Sequence, residues 1–199
     1  MTLSAKKTCG WPGADPLMIE YHDKEWGVPV YDDKKIFEFL ILEGMQAGLS
    51  WKTILHKREN FRKAFDDFDP EKVVRYDAAK KKKLLADAGI IRNRLKIDAA
   101  ISNAKVFLQL QDQHKGFHKF IWQFTGGKPI VNRWKILKQL PATSRESDEM
   151  SHALKEKGFK FVGSTVCYAH MQAAGMVNDH LVTCYRHSEI FKSGIQRRS

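Results

Sequence analysis

The chain has 199 residues, of which 43% are hydrophobic and 29% are charged, a composition that excludes a disordered polypeptide and allows a sizeable core. The 34 Lys and Arg residues outnumber the 23 Asp and Glu residues, and the net charge of +11 favours a polyanionic partner such as nucleic acid or an acidic membrane surface. No apolar run reaches the roughly 18 residues of a spanning helix, the polar start excludes a secretory signal peptide, and three cysteines exclude a disulfide scaffold. We therefore expect a basic, globular, cytoplasmic protein.

Apolar residues recur mainly at helical spacing, and caps and glycines set the bounds of the predicted elements. In chain order the predicted helices are 32–48, 50–65, 69–76, 77–89, 92–111, 117–124, 147–157, 164–175 and 178–185, with a loop over 141–147. Gly89 occupies a position that predicts a left-handed helix C-cap. The pattern as a whole predicts an all-α protein with a frayed basic end over 195–199.

Two cysteine–histidine pairs lie near opposite ends of the chain. Cys9 and His22 form a loop-like Cys-x12-His pair, whereas the i, i+4 spacing of His180 and Cys184 predicts that both lie on one face of a helix. Together they make a Cys2His2 set, which is typical of structural zinc with ligands at roughly 2.0–2.3 Å. The alternatives are that the four residues are unrelated, or that His187 is the fourth ligand.

A basic segment surrounds the predicted glycine turn. The lysine run 80–83 precedes Gly89, and Arg92, Arg94 and Lys96 follow it. A helix, a tight turn and a second helix would present backbone N–H groups and positive charge to a phosphate. The alternative is an ordinary helical hairpin with a solvated, charged face.

An acidic residue lies on the apolar side of the first long predicted helix. Glu43 directly follows four apolar residues, and a carboxylate there is costly unless it is paired or used. The neighbouring segments supply several large aromatic rings, namely those of Trp11, Tyr21, Trp26 and Trp51. An aromatic slot closed by a carboxylate would suit a flat, cationic ring that carries N–H donors. The alternative is that Glu43 reaches solvent and that the tryptophans belong to the core.

Seven motifs occur in a fixed order along most of the chain. They are Cys9-Gly10-Trp11, Tyr21-His22-Asp23-x-Glu25-Trp26-Gly27-Val28-Pro29, Leu42-Glu43-Gly44-x-Gln46-Ala47-Gly48-Leu49-Ser50-Trp51, Lys57-Arg58-Glu59-Asn60, Ala88-Gly89-Ile90-Ile91-Arg92, Gly158-Phe159-Lys160-Phe161-Val162-Gly163 and Val177-Asn178-Asp179-His180. In these motifs the sequence resembles the bacterial DNA-3-methyladenine glycosylase I family, from roughly residue 9 to residue 185.

The resemblance implies an all-α helix-hairpin-helix DNA glycosylase fold, with one domain over residues 1–186 and a basic C-terminal tail over 187–199. It implies one structural Zn²⁺ per chain that ties the two ends together, held by Cys9, His22, His180 and Cys184. It implies a base pocket formed by Trp11, Tyr21, Glu43 and Trp51. With the basic segment, it implies a DNA-contacting turn formed by Gly89, Ile91, Arg92, Arg94 and Lys96. Ile91 departs from the second glycine of the wider superfamily's Gly-x-Gly turn, and no catalytic aspartate is carried over.

The activity that the resemblance implies is excision of 3-methyladenine from alkylated double-stranded DNA. The nucleotide would be flipped out and its N-glycosidic bond hydrolysed, which leaves an abasic site. Methylation at N3 makes the base cationic, so it departs as a neutral molecule and a powerful general acid is not required. We expect Glu43 to be the catalytic residue, with base recognition as its first role. We expect a monomer without a membrane or an obligate protein partner, in the bacterial cytoplasm and nucleoid-associated through DNA binding.

Two other classes of function compete with this interpretation. A zinc hydrolase or nucleobase deaminase needs an open metal position and a glutamate near a ligand in an HxE-type spacing, whereas Asp23 and Lys24 follow His22. A non-catalytic, zinc-stabilised DNA-binding module would explain the charge, the hairpin and the metal ligands. It would leave Glu43 and its aromatic neighbours unexplained.

Overall fold

The computed structural model describes residues 7–196, with side chains described from residue 7 to residue 190. The ten α-helices of this part are α1 (Pro16–Lys24), α2 (Asp33–Gln46), α3 (Trp51–Ala64), α4 (Pro70–Val73), α5 (Ala78–Ala86), α6 (Arg94–His114), α7 (Phe117–Trp122), α8 (Arg145–Glu156), α9 (Ser164–Ala173) and α10 (Tyr185–Gln196). Two short strands, β1 (Ile130–Val131) and β2 (Val177–Asn178), pair in parallel with Ile130 opposite Val177. The mostly helical architecture that the sequence predicts is confirmed.

Polar side chains cap four of these helices, three of them at the first residue of a predicted helix and one, Asn93, a residue after the predicted start at 92. Asp32, Ser50, Asp77 and Asn93 each accept a hydrogen bond from a backbone N–H in the first turn of α2, α3, α5 and α6, respectively. Such caps satisfy donors that have no partner within the helix. The chain therefore enters each of these helices at a fixed residue.

Two helix starts differ from the sequence prediction. The helix α1, which Asp15 caps, was not predicted, and His22 lies within it rather than in a loop. The helix α8 begins at Arg145 because Ser144 is its N-cap, and Ser144 and Ser147 exchange reciprocal side-chain hydrogen bonds with each other's backbone N–H. This capping box shortens the predicted loop by two residues.

The glycine turn between α5 and α6 also differs from the prediction. The helix α5 ends at Ala86, and Gly89 is absent from the residues with positive φ, so it is not a left-handed cap. Its N–H instead donates to Asp87 Oδ1 at 2.7 Å. A Cβ atom at Gly89 would lie 2.9 Å from that oxygen and 3.1 Å from the Asn60 amide, so a larger residue here would require both side chains to shift.

The predicted helix over residues 178–185 does not form. The strand β2 occupies Val177–Asn178, and a turn leads from it into α10. Tertiary hydrogen bonds outweigh the helical spacing here, since Asp179 accepts four of them from two other segments, the one that follows β1 and α9. The predicted domain boundary at residue 186 falls inside α10, so residues 187–196 continue a helix. The predicted frayed end, 195–199, extends past the described residues.

Helix α2 lies at the centre of the core and contacts α3, α6, α7 and α9. Every residue from Ile36 to Met45 is buried, as expected for a helix that is surrounded by others. Phenylalanine rings fill the space on one side, with Phe107 centred 4.9 Å from Phe37 and 4.2 Å from Phe117. A second apolar cluster, which includes Tyr21, Trp26 and Phe39, packs α1 against the other side. None of the described helices is long and apolar enough to cross a membrane.

Candidate functional site

Segments from both halves of the chain enclose a cavity of about 340 Å³ beside α2. Its lining consists of Trp11, Met18, Tyr21, Trp26, Glu43, Gln46, Trp51, Leu137, Leu140, Ala169 and Gln172. The four residues expected to form a base pocket, Trp11, Tyr21, Glu43 and Trp51, are all among them. The sequence therefore identified residues that lie up to 40 positions apart and meet in one place.

The walls of the cavity are aromatic rings held at angles to one another. The ring centroid of Tyr21 lies 5.1 Å from that of Trp51 and 6.4 Å from that of Trp11, and Trp11 packs edge-on against Trp26 at 5.1 Å. The indole N–H groups of Trp11 and Trp51 are buried without a hydrogen-bond partner in the described structure. An unsatisfied buried donor costs about 1–3 kcal/mol, so both walls would gain from a ligand with acceptor atoms.

Glu43 is the single acidic residue of the cavity lining. It is 4% exposed, and its carboxyl group has no hydrogen-bond or ion-pair partner among the described residues. Burial raises the pKa of Glu43 to about 8, because the charged form loses its hydration without gaining a partner. A cationic ligand beside it would supply the missing charge and favour the ionised form.

Local sequence fixes Glu43 and Trp51 on either side of one turn. Glu43 lies in the last turn of α2, and Trp51 is the first residue of α3, directly after the Ser50 cap. Between them Gly48 adopts φ +80°, and the Leu49 N–H donates to Gln46 O at 2.6 Å. This turn, residues 47–50, is called the α2–α3 turn below.

The buried carboxylate of Asp179 holds one residue of the cavity lining in place. Asp179 is 1% exposed; its Oδ1 accepts from the side chains of Asn132 and Trp134, and its Oδ2 accepts from Tyr168 and Gln172 at 2.7 and 2.8 Å. The Gln172 side chain lines the cavity, so Asp179 fixes the orientation of its amide. Sequence analysis missed both residues. Asp179 lies in a quoted motif, but nothing in its spacing indicates a partner on α9.

An ion-pair network holds α1 on the other helices. Arg58 on α3 donates two hydrogen bonds to the Glu25 carboxylate, at 2.7 and 2.9 Å, and a third to Glu38 Oε1 at 2.7 Å. Burial opposes ionisation of both acids, yet Arg58 holds the pKa of Glu25 and of Glu38 below its usual value. Glu25 is the C-cap of α1, so the network fixes the helix that carries Tyr21 and His22.

The four predicted metal ligands converge next to the cavity. The donor atoms of Cys9, His22, His180 and Cys184 are buried and all lie within 4.8 Å of one another. His180 Nδ1 is 3.4 Å from Cys9 Sγ and 3.6 Å from Cys184 Sγ, and His22 Nε2 is 3.6 Å from Cys184 Sγ. A tetrahedron with bonds of 2.0–2.3 Å has edges of roughly 3.3–3.8 Å, which matches these separations.

The hydrogen bonds of the two imidazoles determine which nitrogen faces the cluster with a lone pair. His180 Nε2 lies 2.9 Å from the Trp26 carbonyl oxygen, which only accepts, so Nε2 carries the proton and Nδ1 is free to ligate. His22 Nδ1 likewise donates to Asp23 Oδ1 at 2.7 Å, which leaves Nε2 towards the sulfurs. Imidazoles oriented by a carbonyl or a carboxylate are typical of protein metal sites. The residues present therefore fit a metal ion.

The two neighbouring thiols differ in acidity. The closeness of Cys9 lowers the pKa of Cys184, and the same interaction raises the pKa of Cys9. One thiolate is therefore already favoured at neutral pH, and a cation would favour the second. The i, i+4 prediction brought the correct pair together for the wrong reason, since a turn rather than a helix joins His180 to Cys184.

The basic hairpin, residues 80–94, is packed on α3 through its turn. Lys57 Nζ donates to the carbonyl oxygens of Ala88 and Gly89 at 3.0 and 3.3 Å. Arg92 and Arg94 are exposed, and Ile91 is partly exposed. The structure thus leaves the predicted DNA-contacting residues Gly89, Ile91, Arg92 and Arg94 on an accessible turn.

Lys96 does not belong to that accessible surface, and its assignment as a DNA-contacting residue is wrong. It is 8% exposed, and its ammonium group donates to Met45 O at 2.8 Å and to Ala47 O at 2.7 Å. The position of a lysine in a basic run does not show which face of the helix it occupies. Within the first turn of α6, Arg94 lies on the exposed face and Lys96 on the buried face.

Comparison with known proteins agrees with the geometry. The family model described as methyladenine glycosylase matches residues 11–187. DNA-3-methyladenine glycosylase 1 of Escherichia coli K12 is 52% identical over 176 residues, which cover 88% of this chain and 94% of the relative.

Solved structures show the same fold. A crystal structure of 3-methyladenine DNA glycosylase I superposes with a TM-score of 0.88 at 47% identity, covering 90% of this chain and 98% of the other. A structure described as the basis of 3-methyladenine recognition by the Staphylococcus aureus enzyme gives a TM-score of 0.87 at 35% identity, covering 92% and 97%. Because the family model matches most of this chain, the chain belongs to the methyladenine glycosylase family.

Proposed function

We propose that the protein is a DNA glycosylase that excises 3-methyladenine from alkylated double-stranded DNA by hydrolysing the N-glycosidic bond. The observation that carries the proposal is Glu43, a buried carboxyl group without a partner in an aromatic cavity large enough for a purine. The relatives named above, which are 3-methyladenine glycosylases, support the same substrate.

The cavity suits a flipped-out, cationic base. Extrusion from the duplex costs a few kcal/mol, and stacking on aromatic rings such as those of Trp11 and Trp51 returns about 1–3 kcal/mol per base. Glu43 accepts hydrogen bonds from the amino edge of the base and ionises in response to its positive charge. Tyr21 supplies a second polar contact from α1. Undamaged adenine is neutral and gives Glu43 no comparable reason to ionise, so the pocket selects for the alkylated base.

The chemical demand on the protein is modest because the departing base is neutral. Glu43 is the proposed catalytic residue, since its ionised form stabilises the positive charge that develops on the sugar as the bond breaks. Water then adds to the sugar carbon and releases a proton to solvent, and the product is an abasic site. No aspartate among the residues lining the cavity offers a second carboxylate for this step.

DNA binding is assigned to the basic hairpin, as the helix-hairpin-helix element of the fold. The backbone N–H groups of Ile91 and Arg92 make no hydrogen bond within the described structure, and Arg92 and Arg94 are exposed beside them. Two free amides and two guanidinium groups suit a backbone phosphate and carry no sequence information. The protein would therefore scan duplex DNA without preference for sequence.

The Cys2His2 cluster is assigned to one structural Zn²⁺, held by Cys9, His22, His180 and Cys184. Two thiolates and two imidazoles at tetrahedral separations are the preferred donors of zinc, and four protein ligands leave no position for a reacting water. The ion would join the segment before α1 to the segment before α10. This closed ligand set argues against a zinc hydrolase or deaminase.

We also propose that residues 1–186 act as a single domain and that the protein works as a monomer in the bacterial cytoplasm, associated with the nucleoid through its DNA contacts. The non-catalytic DNA-binding module remains the rival function. It accounts for the hairpin and for the metal ligands. It gives no role to the unpaired Glu43 or to the two unpaired indole N–H groups.

Chromatographic identification of the bases released from methylated duplex DNA separates these two functions. The proposed enzyme releases 3-methyladenine, and Glu43→Gln releases it more slowly. Glu156→Gln, an exposed acid on α8, serves as the matched control and should release it at the wild-type rate. Binding of the duplex without release of any base would establish the non-catalytic module instead.

A further inference from the structure

The side chain of Lys96 links two regions that are distant in sequence. It lies in the first turn of α6, directly after the basic hairpin, and its ammonium group reaches Met45 O and Ala47 O at the C-terminal end of α2. Carbonyls at a helix C-terminus lack intrahelical partners, and the helix dipole favours a cation there. Lys96, which lies on α6, therefore caps the C-terminal end of α2.

The burial of this lysine sets it apart from its basic neighbours. Lys96 is 8% exposed, whereas Arg94 and Leu95 are exposed, with Leu95 at 70%. Two of its three N–H donors are committed to carbonyl oxygens, and burial lowers the pKa of Lys96. A protein does not bury an ammonium group without a compensating gain, and the gain here is the fixed end of α2.

The segment that Lys96 fixes is the α2–α3 turn. Glu43 lies one helical turn before it and Trp51 directly after it, so a shift of this turn relative to the hairpin would shift the two pocket residues together. On the hairpin side, Lys57 of α3 holds the carbonyls of Ala88 and Gly89. Lys57 thus holds the hairpin to α3, and Lys96 holds the helix that follows the hairpin to the end of α2.

We propose that Lys96 is a positioning residue that fixes the α2–α3 turn relative to the basic hairpin, so that DNA held by the hairpin presents its damaged nucleotide to the pocket. The inference rests on the proposed glycosylase function. Lys96 touches neither the base nor the phosphate in this account. Its loss would leave both binding surfaces present but misplaced by a small distance, and a misplacement near 1 Å can cost on the order of a hundredfold in rate.

The test compares three measurements on Lys96→Met, which keeps most of the apolar stem and removes the ammonium group. We expect the maximal single-turnover rate of 3-methyladenine release to fall by about tenfold or more. The affinity for free 3-methyladenine should stay within about threefold, because the base alone does not need the hairpin. The salt dependence of binding to undamaged duplex should not change, because no phosphate contact is lost.

Lys105→Met, an exposed lysine on the same helix, is the matched control and should match wild type in all three measurements. Lys96→Arg keeps the charge and the donors and should recover part of the rate. If Lys96→Met does not fold, Lys96→Gln, which keeps one donor group, takes the same measurements with the same expectation.

Three results would overturn the inference. A salt slope lowered by roughly 0.9 would make Lys96 a phosphate ligand. A parallel loss of free-base affinity and release rate would make it a general structural residue. Release at the wild-type rate would remove any positioning role. Failure of wild-type protein to release 3-methyladenine would instead contradict the proposed function, so the two failures are distinguishable.

Discussion

The Cys2His2 cluster and the cavity lie side by side and are built in opposite ways. In the cluster, each of the four donors has a partner, and both imidazoles are oriented by a second hydrogen bond, to Asp23 and to Trp26. In the cavity, Glu43 and the indoles of Trp11 and Trp51 are buried with no partner in the described structure. Trp11 and Trp26 belong to both regions, since each packs against His22 as well as lining the cavity.

The difference shows which buried polar groups stabilise the fold and which are available to bind a ligand. A polar group that is fully paired in the folded chain stabilises that fold, whereas a buried polar group left unpaired destabilises it until a ligand arrives. The cluster and the Arg58 network therefore account for stability, and the cavity gives up stability for recognition. Substitutions on the two sides should consequently change stability in opposite directions.

Loss of the metal should give the largest effect. The apparent free energy with which structural zinc binds such ligand sets is on the order of 10–16 kcal/mol, and it counts as folding free energy. Treatment with a strong chelator, or His180→Ala, should lower the melting temperature sharply and abolish cooperative unfolding. Elemental analysis should find one zinc per chain in the untreated protein. Equal melting temperatures with and without chelator would show that metal binding at the cluster does not stabilise the fold.

Breaking the Arg58 network should give the next largest effect. Arg58→Met removes the buried partner that Glu25 and Glu38 share, whereas Lys35 stays beside both acids and Arg62 stays beside Glu38. Because these cations compensate part of the charge, we expect a cost of about 3 kcal/mol, the lower end for a broken buried ion pair. Denaturant unfolding measures this loss. Arg145→Met on the surface of α8, where the ion pair with Glu149 is exposed, should cost less than about 1 kcal/mol. Similar costs for the two variants would show that burial does not distinguish these arginines.

Replacement of Glu43 should change stability in the opposite direction. Its folded pKa, about 8, lies above the ordinary value of 4.5, so its contribution to stability is fully present below about pH 4.5 and is lost as the pH rises towards 8. Over that window wild type should lose up to about 1.4 kcal/mol per pH unit relative to Glu43→Gln. Urea unfolding at several pH values checks the slope. Parallel pH profiles for the two proteins would mean that the carboxyl is paired after all.

The hairpin should show the smallest effect, confined to DNA binding. Replacing Arg92 and Arg94 by alanine should lower the salt slope of binding to undamaged duplex by roughly 0.9 per lost phosphate contact, with stability nearly unchanged. Fluorescence anisotropy at several salt concentrations gives this slope. The same slope in wild type and in the double variant would move the DNA-contacting surface elsewhere.

The parts that the sequence predicted are those that depend on residue type and local spacing. Ser50 and Asp77 cap helices because their side chains accept hydrogen bonds from the backbone of their own first turns. Glu43 was recognised because a carboxylate on an apolar helix face is costly wherever the rest of the chain lies.

The parts that the sequence missed depend on contacts between distant segments. Asp179 gains its importance from four partners on other elements, and Arg58 from two acids at least 20 residues away. Lys96 was misassigned because charge does not reveal that a side chain points to a carbonyl 49 residues earlier. The prediction of a helix over 178–185 was wrong for the same reason. Pairing with β1 and the hydrogen bonds of Asp179 determine the backbone there, and the helical spacing of its apolar residues does not.

The central claim is that the unpaired Glu43 carboxyl recognises a cationic base. Titration calorimetry of free 3-methyladenine into wild type, Glu43→Gln and the surface control Glu156→Gln tests it most directly. The account predicts that Glu43→Gln binds the base more weakly by roughly 1.5–3 kcal/mol, the value of a hydrogen bond to a charged group, while Glu156→Gln binds as wild type. Equal affinity in all three proteins would contradict the account and would leave Glu43 as a buried acid without a role in recognition.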